Sequence, residues 1–223
     1  MEQRSPEWFA ARCGSLGASR VHDVISRTKT GPSASRANLM AELVLERLTG
    51  NPTESFTTAA MQFGIDTEPE ARAAYAWHAD VDVVEVGLIR HPTINGSHCS
   101  PDGMISDDGL VEIKVPQPAA HLDTLLTGIF PARYITQAQW QLAATGRTYC
   151  DLVSYQPKFP ESMKLYVRRI ERDETFILET EKAVVSFLSE LETKVAELRA
   201  RYEGGPSPLM DALTQSVALE AAP

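Results

Sequence analysis

The chain has few cysteines and no long apolar run, and each shortage excludes a class of protein. Cys13, Cys99 and Cys150 are far apart and form no CxxC pair. They offer no disulfide framework, no tetrahedral zinc site and too few thiolates for an iron–sulfur cluster held by four cysteines. No apolar run approaches the roughly 20 residues of a membrane span. The N-terminus lacks the apolar stretch of a secretory signal, so we expect a cytoplasmic protein without a membrane partner.

An excess of basic charge is also missing. The net charge of −9 at pH 7 argues against a protein that coats nucleic acid through bulk electrostatics. It remains compatible with an enzyme that clusters carboxylates around a cation and gathers its basic residues in one groove. The stretch between Asp23 and Glu42 has no acidic residue and carries Arg27, Lys29 and Arg36. This stretch is interpreted equally well as a solvated loop or as a DNA-facing loop.

The 223 residues suffice for one buried core and do not require two. Their patterns predict, in order, helices, a β-meander, two helices, two strands and a long final helix. We expect an α/β (α+β) domain over residues 1–203, with a central mixed β-sheet flanked by helices. The Gly/Pro-rich run that begins at Gly204 ends this domain. Residues 204–223 are expected to be a C-terminal tail that is flexible or docks on a neighbouring subunit.

Several element boundaries can be proposed from local signals. Ser5 and Pro6 are typical of a helix start, and residues 57–79 look helical, with Pro69 marking a break or a new first turn. Residues 81–90 are rich in β-branched side chains and partly alternate, which predicts one strand. Strands at 97–100, 103–106 and 110–115, separated by turn signals, predict the meander.

The chemistry is concentrated in this meander, in Ser100-Pro101-Asp102-Gly103 and Glu112-Ile113-Lys114. Side chains repeat every two residues along a strand, so Glu112 and Lys114 should point to the same face. A turn at Asp107-Asp108-Gly109 should fold Asp102 back beside Glu112. Two carboxylates and one ammonium group are therefore predicted to converge.

Two adjacent carboxylates repel each other, and a divalent cation removes that conflict. Oxygen ligands suit Mg²⁺ or Mn²⁺, which keep waters and accept phosphate oxygens in the remaining positions. Lys114 could then orient or deprotonate a metal-bound water and balance charge at phosphorus. The pattern favours a metal-dependent nuclease.

The pattern resembles the PD-(D/E)xK nuclease superfamily, with Pro101-Asp102 followed by Glu112-Ile113-Lys114. Over roughly residues 6–190 the chain is also similar to the lambda exonuclease (YqaJ-type viral recombinase) family, in several blocks that occur in the same order. These blocks are Trp8…Arg12…Gly14…Ala18-Ser19…Val21-His22-Asp23-Val24-Ile25, Gly64…Glu68, Cys99-Ser100-Pro101-Asp102-Gly103, Glu112-Ile113-Lys114, Gln137-Ala138-Gln139-Trp140 and Ile170-Glu171-Arg172-Asp173-Glu174. The tail after Gly204 departs from the family's pattern.

The resemblance implies a restriction-endonuclease-like core and a role for each matching residue. Asp102, Glu112, Glu68 and the main-chain carbonyl of Ile113 would hold Mg²⁺, for which Mn²⁺ would substitute. Lys114 would be the catalytic lysine, and Gln137 would line the site. Arg12 would capture the 5′-phosphate of a DNA end, with Ser19 and Ser100 nearby, since a guanidinium group can bind phosphate bidentately.

The activity implied by the resemblance is a Mg²⁺-dependent 5′→3′ exonuclease on linear double-stranded DNA. It would release 5′-mononucleotides and leave a 3′ single-stranded overhang for a single-strand annealing protein. Members of this family form homotrimeric rings, and a phage- or prophage-encoded protein acting in the bacterial cytoplasm is expected.

Two other functions stay open from the sequence. A site-specific or structure-specific endonuclease of the same superfamily would need an element that reads base edges, and no insertion is long enough to be one. A non-catalytic DNA-end-binding oligomer would require a degraded metal site. Asp102, Glu112 and Lys114 are all present, which disfavours it.

Overall fold

The computed structural model describes residues 3–29, 31–53 and 58–203. The predicted C-terminal tail, residues 204–223, lies outside the described residues. Within the described ranges, no helix combines the length and the hydropathy needed to cross a membrane.

The helices largely follow the sequence patterns. They are α1 (Pro6–Arg12), α2 (Val21–Ile25), α3 (Ala34–Thr49), α4 (Ala59–Ala79), α5 (Pro118–Thr127), α6 (Ala132–Thr145) and α7 (Glu174–Tyr202), with short 3₁₀ turns at Ala18–Arg20 and Glu161–Met163. Ser5 caps α1 and Asp173 caps α7, each accepting a hydrogen bond from a backbone N–H three residues ahead. The predicted break at Pro69 is wrong, because α4 continues through it. Ala71 and Tyr75, which follow Pro69, are buried against the sheet and hold the second half of α4 in place.

The strands form two sheets and a small hairpin. They are β1 (Leu16–Gly17), β2 (Arg27–Thr28), β3 (Gly31–Pro32), β4 (Val83–Val84), β5 (Ile89–Arg90), β6 (Ser97–Cys99), β7 (Gly103–Ile105), β8 (Gly109–Lys114), β9 (Tyr149–Tyr155) and β10 (Leu165–Glu171). The main sheet has the order β10-β9-β8-β7-β4, in which only the β8–β9 pair is parallel. The second sheet has the order β1-β6-β5, and β2 pairs with β3.

Two strand predictions need correction. The single strand predicted at 81–90 is two short strands in different sheets, because β4 pairs with β7 while β5 pairs with β6. The predicted meander also divides, since β6 belongs to the small sheet and only β7 and β8 form a hairpin. The chain changes sheet around Pro101, whose ring nitrogen cannot donate to a ladder.

The acid-free segment is not one loop. β2 and β3 form a hairpin that leaves Arg27 and Lys29 exposed. Arg36 lies in the first turn of α3, where its guanidinium group is 2.7 Å from the Glu190 carboxylate of α7. Placing Arg36 in a DNA-facing loop is therefore wrong.

Helix α6 lies at the centre of the molecule. One side of it packs on β8 and β9 through Leu142, Leu110 and Leu152. The other side carries Trp140 into a second core with α2, α3 and α7. Every residue from Thr136 to Ala144 is buried. Polar side chains on α6 must therefore find their partners inside the protein.

A buried histidine lies where β6 runs parallel to β1. His98 pairs with Gly17 and is 1% exposed, and its Nδ1 is 2.8 Å from the Ser15 hydroxyl. Burial lowers the pKa of His98 to about 3, and the charges of Arg12 and Arg90 act in the same direction. His98 is therefore neutral in the folded chain at ordinary pH.

The folded chain should lose stability at His98 as the pH falls below 6.5. The unfolded chain binds a proton there near pH 6.5, whereas the folded chain does so only near pH 3. The unfolded state therefore binds more protons over that interval, and stability falls by up to about 1.4 kcal/mol per pH unit. Urea unfolding at pH 7.5, 6.5 and 5.5 should show a larger acid loss for the wild type than for His98→Gln. Equal losses would mean that His98 is not held neutral.

Candidate active site

Glu112 of β8 is a buried carboxylate whose oxygens have protein partners. It is 2% exposed. Its Oε1 accepts hydrogen bonds from Lys114 Nζ and from Gln137 Nε2, each at 2.6 Å. Its Oε2 accepts one from Gln141 Nε2 at 2.5 Å. Gln137 and Gln141 are four residues apart and therefore share one face of α6.

Asp102 lies beside this group, as the hairpin geometry predicts. Gly103 pairs with Val111 in the antiparallel hairpin, so the residue before Gly103, Asp102, lies opposite the residue after Val111, Glu112. Asp102 Oδ2 accepts a hydrogen bond from the Ile113 backbone N–H at 2.6 Å. Burial and the nearby charge of Glu112 raise the pKa of Asp102 well above its ordinary value, with a smaller contribution from Glu68. Lys114 and the Ile113 N–H act in the opposite direction and do not cancel this effect.

Lys114 stays protonated in this setting. Burial alone would lower its pKa, but the carboxylates of Glu112 and Asp102 outweigh burial, and the net result is a raised pKa. The ammonium group also lies 4.8 Å from the centre of the Tyr134 ring and 3.2 Å from Gln137 Oε1. These contacts fix the position of Nζ at the edge of an open cavity.

Glu68 of α4 faces the same cavity, which has a volume of about 430 Å³ and is also lined by Asp102, Glu112 and Lys114. Its carboxylate accepts hydrogen bonds from Arg4 Nη2 at 2.7 Å and from Arg72 Nη2 at 2.6 Å. Glu68 thus faces the site, but two arginine side chains compensate its negative charge. Its membership of a metal shell stays a prediction.

The donor set at this site fits a hard divalent cation. Among the described residues, no three His, Cys, Asp or Glu side chains lie close enough together to hold a metal ion. Side-chain oxygens at the hairpin would therefore come from Asp102 and Glu112, and the Ile113 carbonyl is a further oxygen donor on the same strand. Such donors suit Mg²⁺ and Mn²⁺. Burial first, and then the charge of Glu112, raise the pKa of Asp102, and a bound cation would favour its ionised form.

A second cluster surrounds Arg12 at the end of α1. The guanidinium carbon lies 4.0 Å from the centre of the Trp8 ring, and Trp8 Nε1 donates to Ser100 Oγ at 3.1 Å. Burial lowers the pKa of Arg12, and the charge of Glu46 acts in the opposite direction. No carboxylate in the described part of the chain forms an ion pair with Arg12. The structure thus joins Arg12 and Ser100 through Trp8, whereas Ser19 is exposed and hydrogen-bonds to neither in the described residues.

The loop after α1 is tied down by backbone contacts. Gly14 has a φ of +66°, a conformation that favours glycine. Its N–H donates to Glu46 Oε2 at 2.7 Å, and its carbonyl accepts from Arg47 Nε at 2.8 Å. These bonds anchor the end of α1, and with it Arg12, to α3.

Sequence reasoning missed three features of the site. Gln141 repeats Gln137 one helical turn later, and that spacing alone could have identified it. Tyr134, which lies under Lys114, carries no distinctive local signal. Of the two arginines on Glu68, Arg72 lies one helical turn later, so its spacing could also have identified it, whereas Arg4 is distant in sequence and only the fold shows it.

Comparisons with known proteins bear on the fold and the family of this chain. A model of the YqaJ-like viral recombinase domain matches residues 7–148. The crystal structure of an alkaline exonuclease (LHK-Exo) from Laribacter hongkongensis is 48% identical, with a TM-score of 0.83 over 88% of this chain and 97% of that one. LHK-Exo in complex with dAMP matches over the same shares, with 49% identity and the same TM-score. No curated protein matches this chain at a significant level.

A more distant structure supports the fold alone. A phage-related exonuclease from Haemophilus somnus 129PT is 12% identical, with a TM-score of 0.70 over 82% of this chain and 96% of that one. The predicted fold class is confirmed, a mixed α/β core of the restriction-endonuclease-like type. The family suggested by the sequence motifs is also confirmed: the chain belongs to the YqaJ-like, lambda exonuclease-related viral recombinase family.

Proposed function

We propose that this chain is a Mg²⁺-dependent 5′→3′ exonuclease that acts on linear double-stranded DNA. It would release 5′-mononucleotides and leave a 3′ single-stranded overhang. The observation that carries the proposal is the buried Glu112 carboxylate, with Asp102 and Lys114 beside it at an open cavity. The 48% identity to an alkaline exonuclease supports the same activity.

The space next to Lys114 supports a mononucleotide product. The cavity at Asp102 adjoins a second one of about 520 Å³, and Lys114 and Tyr134 line both. Ligand pockets for small molecules typically span about 300–1,000 Å³, so the two together can hold a nucleotide. The relative LHK-Exo has been crystallised with dAMP, which is a product of this kind.

The proposed chemistry divides among few residues. Asp102, Glu112 and the Ile113 carbonyl would hold Mg²⁺, which would polarise a phosphate oxygen. Glu68 is bonded to Arg4 and Arg72 in this structure, and it would join the metal shell as a further ligand only by leaving these arginines. Lys114, held by Glu112 and Gln137, presents N–H donors to the cavity and stabilises the negative charge that develops at phosphorus. Gln137 positions both partners, because it bonds to Glu112 and Lys114 at once.

Arg12 would set the direction of digestion. It is a partly buried cation without an ion-pair partner among the described residues, which leaves its fork of donors available to a terminal phosphate. Ser100 is joined to Arg12 through Trp8 and lies two residues before Asp102. An end phosphate held at Arg12 therefore lies at a fixed position relative to the carboxylates, and this position selects the bond that is cleaved.

Family membership supports the remaining parts of the proposal. These are a homotrimeric ring, a single-strand annealing protein as partner, and action in a bacterial host cell as a phage- or prophage-encoded protein.

Replacing Lys114 with alanine should abolish cleavage while leaving folding and DNA binding intact, because Gln137 and Gln141 still donate to the buried Glu112 carboxylate. Loss of a positioned proton or charge donor lowers a rate by roughly 10²- to 10⁴-fold. The assay is release of mononucleotides from linear duplex in Mg²⁺ and in EDTA, beside closed circular DNA, which an exonuclease cannot enter. Lys164→Ala is the matched control, since Lys164 pairs with Glu161 on the 3₁₀ turn. Normal digestion by Lys114→Ala would remove the lysine from the mechanism, and digestion of the circle would indicate an endonuclease.

Replacing Arg12 with alanine should remove the advantage of 5′-phosphorylated over 5′-hydroxyl ends. A hydrogen bond to a charged group contributes about 1.5–3 kcal/mol, which is roughly a 10- to 100-fold preference. Arg20→Ala is the control, because Arg20 is already paired with Asp23 at 2.9 Å and Glu42 at 3.0 Å. Digestion rates on the two end types give the ratio. A ratio unchanged by Arg12→Ala would exclude Arg12 as the phosphate anchor.

A further inference from the structure

An open groove of about 990 Å³ lies between α3 and α7, away from the candidate active site. The floor of this α3–α7 groove is apolar and consists of Met40, Val44 and Leu198, together with Ala37, Ala41 and Ala200. Its edges carry charged side chains, three basic (Arg36, Lys194, Arg201) and two acidic (Glu190, Glu197). An apolar surface with a polar rim is typical of a site that binds another chain segment.

The floor of the groove is not covered by the described part of the chain. Ala37, Ala41 and Ala200 are exposed, and Leu198 is 36% exposed. Removing such apolar side chains from water is favourable, and a third apolar segment laid across the two helices would do so.

The chain leaves the described residues at one end of the groove. α7 ends at Tyr202, and Arg201 lines the groove, so residues 204–223 begin beside it. Along α7 the groove extends back from Arg201 to Glu190. This length is roughly 16 Å at the helical rise of about 1.5 Å per residue.

The sequence after Gly204 suits a segment of this length. Residues 204–208 read Gly-Gly-Pro-Ser-Pro, a turn-forming run. Within residues 209–219, Leu209, Leu213 and Val217 recur every four residues, which predicts a helix with one apolar face. Such a helix would be about 16 Å long, close to the length of the groove.

Charge also favours this segment as the occupant. Residues 204–223 contain two acidic residues, Asp211 and Glu220, and neither lysine nor arginine. At the groove edge, Arg36 and Lys194 lie 2.7 and 3.6 Å from the Glu190 carboxylate. Arg201 has no carboxylate partner among the described residues, so the edge keeps a positive charge where the tail begins.

We propose that residues 209–219 dock in the α3–α7 groove of their own subunit and run antiparallel to α7. Leu213 and Val217 would pack on the floor formed by Met40, Val44 and Leu198. A short connection keeps the segment near its own groove at a high effective concentration, which favours this groove over that of a neighbouring subunit. The groove shares no lining residue with the cavities beside Lys114, so the proposal is independent of the nuclease chemistry.

A cysteine placed in the groove tests whether the tail covers it. Ala41→Cys puts a thiol into the groove, and Ala119→Cys puts one on the exposed surface of α5 as a matched control. The folded protein is treated with N-ethylmaleimide, and mass spectrometry follows the peptide that contains each new cysteine. The thiol at position 41 should react roughly tenfold more slowly in the full chain than in a chain truncated after Glu203, if docking is favoured by about 1.4 kcal/mol. The thiol at position 119 should react equally fast in both.

Two substitutions in the tail test whether its apolar face makes the contact. Leu213→Asp places a charge on that face and should restore fast alkylation at position 41. Gln215→Asp adds the same charge about 200° further around the predicted helix, since each residue turns it by about 100°, and should keep the slow rate.

Each other outcome overturns the proposal. A rate at position 41 that truncation leaves unchanged would mean that the tail does not cover the groove. Equal rates for Leu213→Asp and Gln215→Asp would exclude the apolar face. Truncated Ala41→Cys chains can also be co-expressed with full-length chains that lack this cysteine. Slow alkylation of the truncated chains in such mixed assemblies would assign the tail to the groove of a neighbouring subunit.

Discussion

The structure depends on one costly feature, the burial of the Glu112 carboxylate between β8 and α6. A buried charge must be met by donors or it destabilises the fold. Lys114, Gln137 and Gln141 meet it, and each of them is thereby held in place. Hydrophobic side chains would pack this position at lower cost. A charged network in place of hydrophobic side chains, next to an open cavity, is the pattern expected of a functional site.

The two clusters of functional residues are connected by a short stretch of chain. β6 carries His98 beside Arg12, and four residues later Asp102 lies opposite Glu112. Ser100, between them, accepts a hydrogen bond from Trp8, and Asp102 accepts one from the Ile113 N–H. Few bonds in this stretch are free to rotate once both ends are fixed. The separation between a phosphate anchor and a metal site would therefore be set by the backbone.

Local features of the fold could be predicted from the sequence, and long-range pairing could not. The two-residue strand period placed Glu112 and Lys114 on one face, and capping residues such as Ser5 and Asp173 marked helix starts. The prediction of one strand at 81–90 was wrong because its first half pairs with β7 and its second half pairs with β6. No local sequence pattern reveals these partners. The predicted break at Pro69 was wrong because the packing of the residues after it outweighs the one helical hydrogen bond that proline removes. At the site, the contact of Arg4 with Glu68 became visible only with the fold, whereas Arg72 lies one helical turn from Glu68 and could have been predicted from that spacing.

The central claim is that the Glu112 network holds a divalent cation together with Asp102. Mn²⁺ is the direct probe, because it scatters X-rays anomalously and takes the same oxygen ligands as Mg²⁺. Crystals soaked in Mn²⁺ should show an anomalous peak bounded by the Asp102 and Glu112 carboxylates and the Ile113 carbonyl, and Asp102→Asn should weaken it. A wild-type crystal with no peak between these groups at saturating Mn²⁺ would contradict the account.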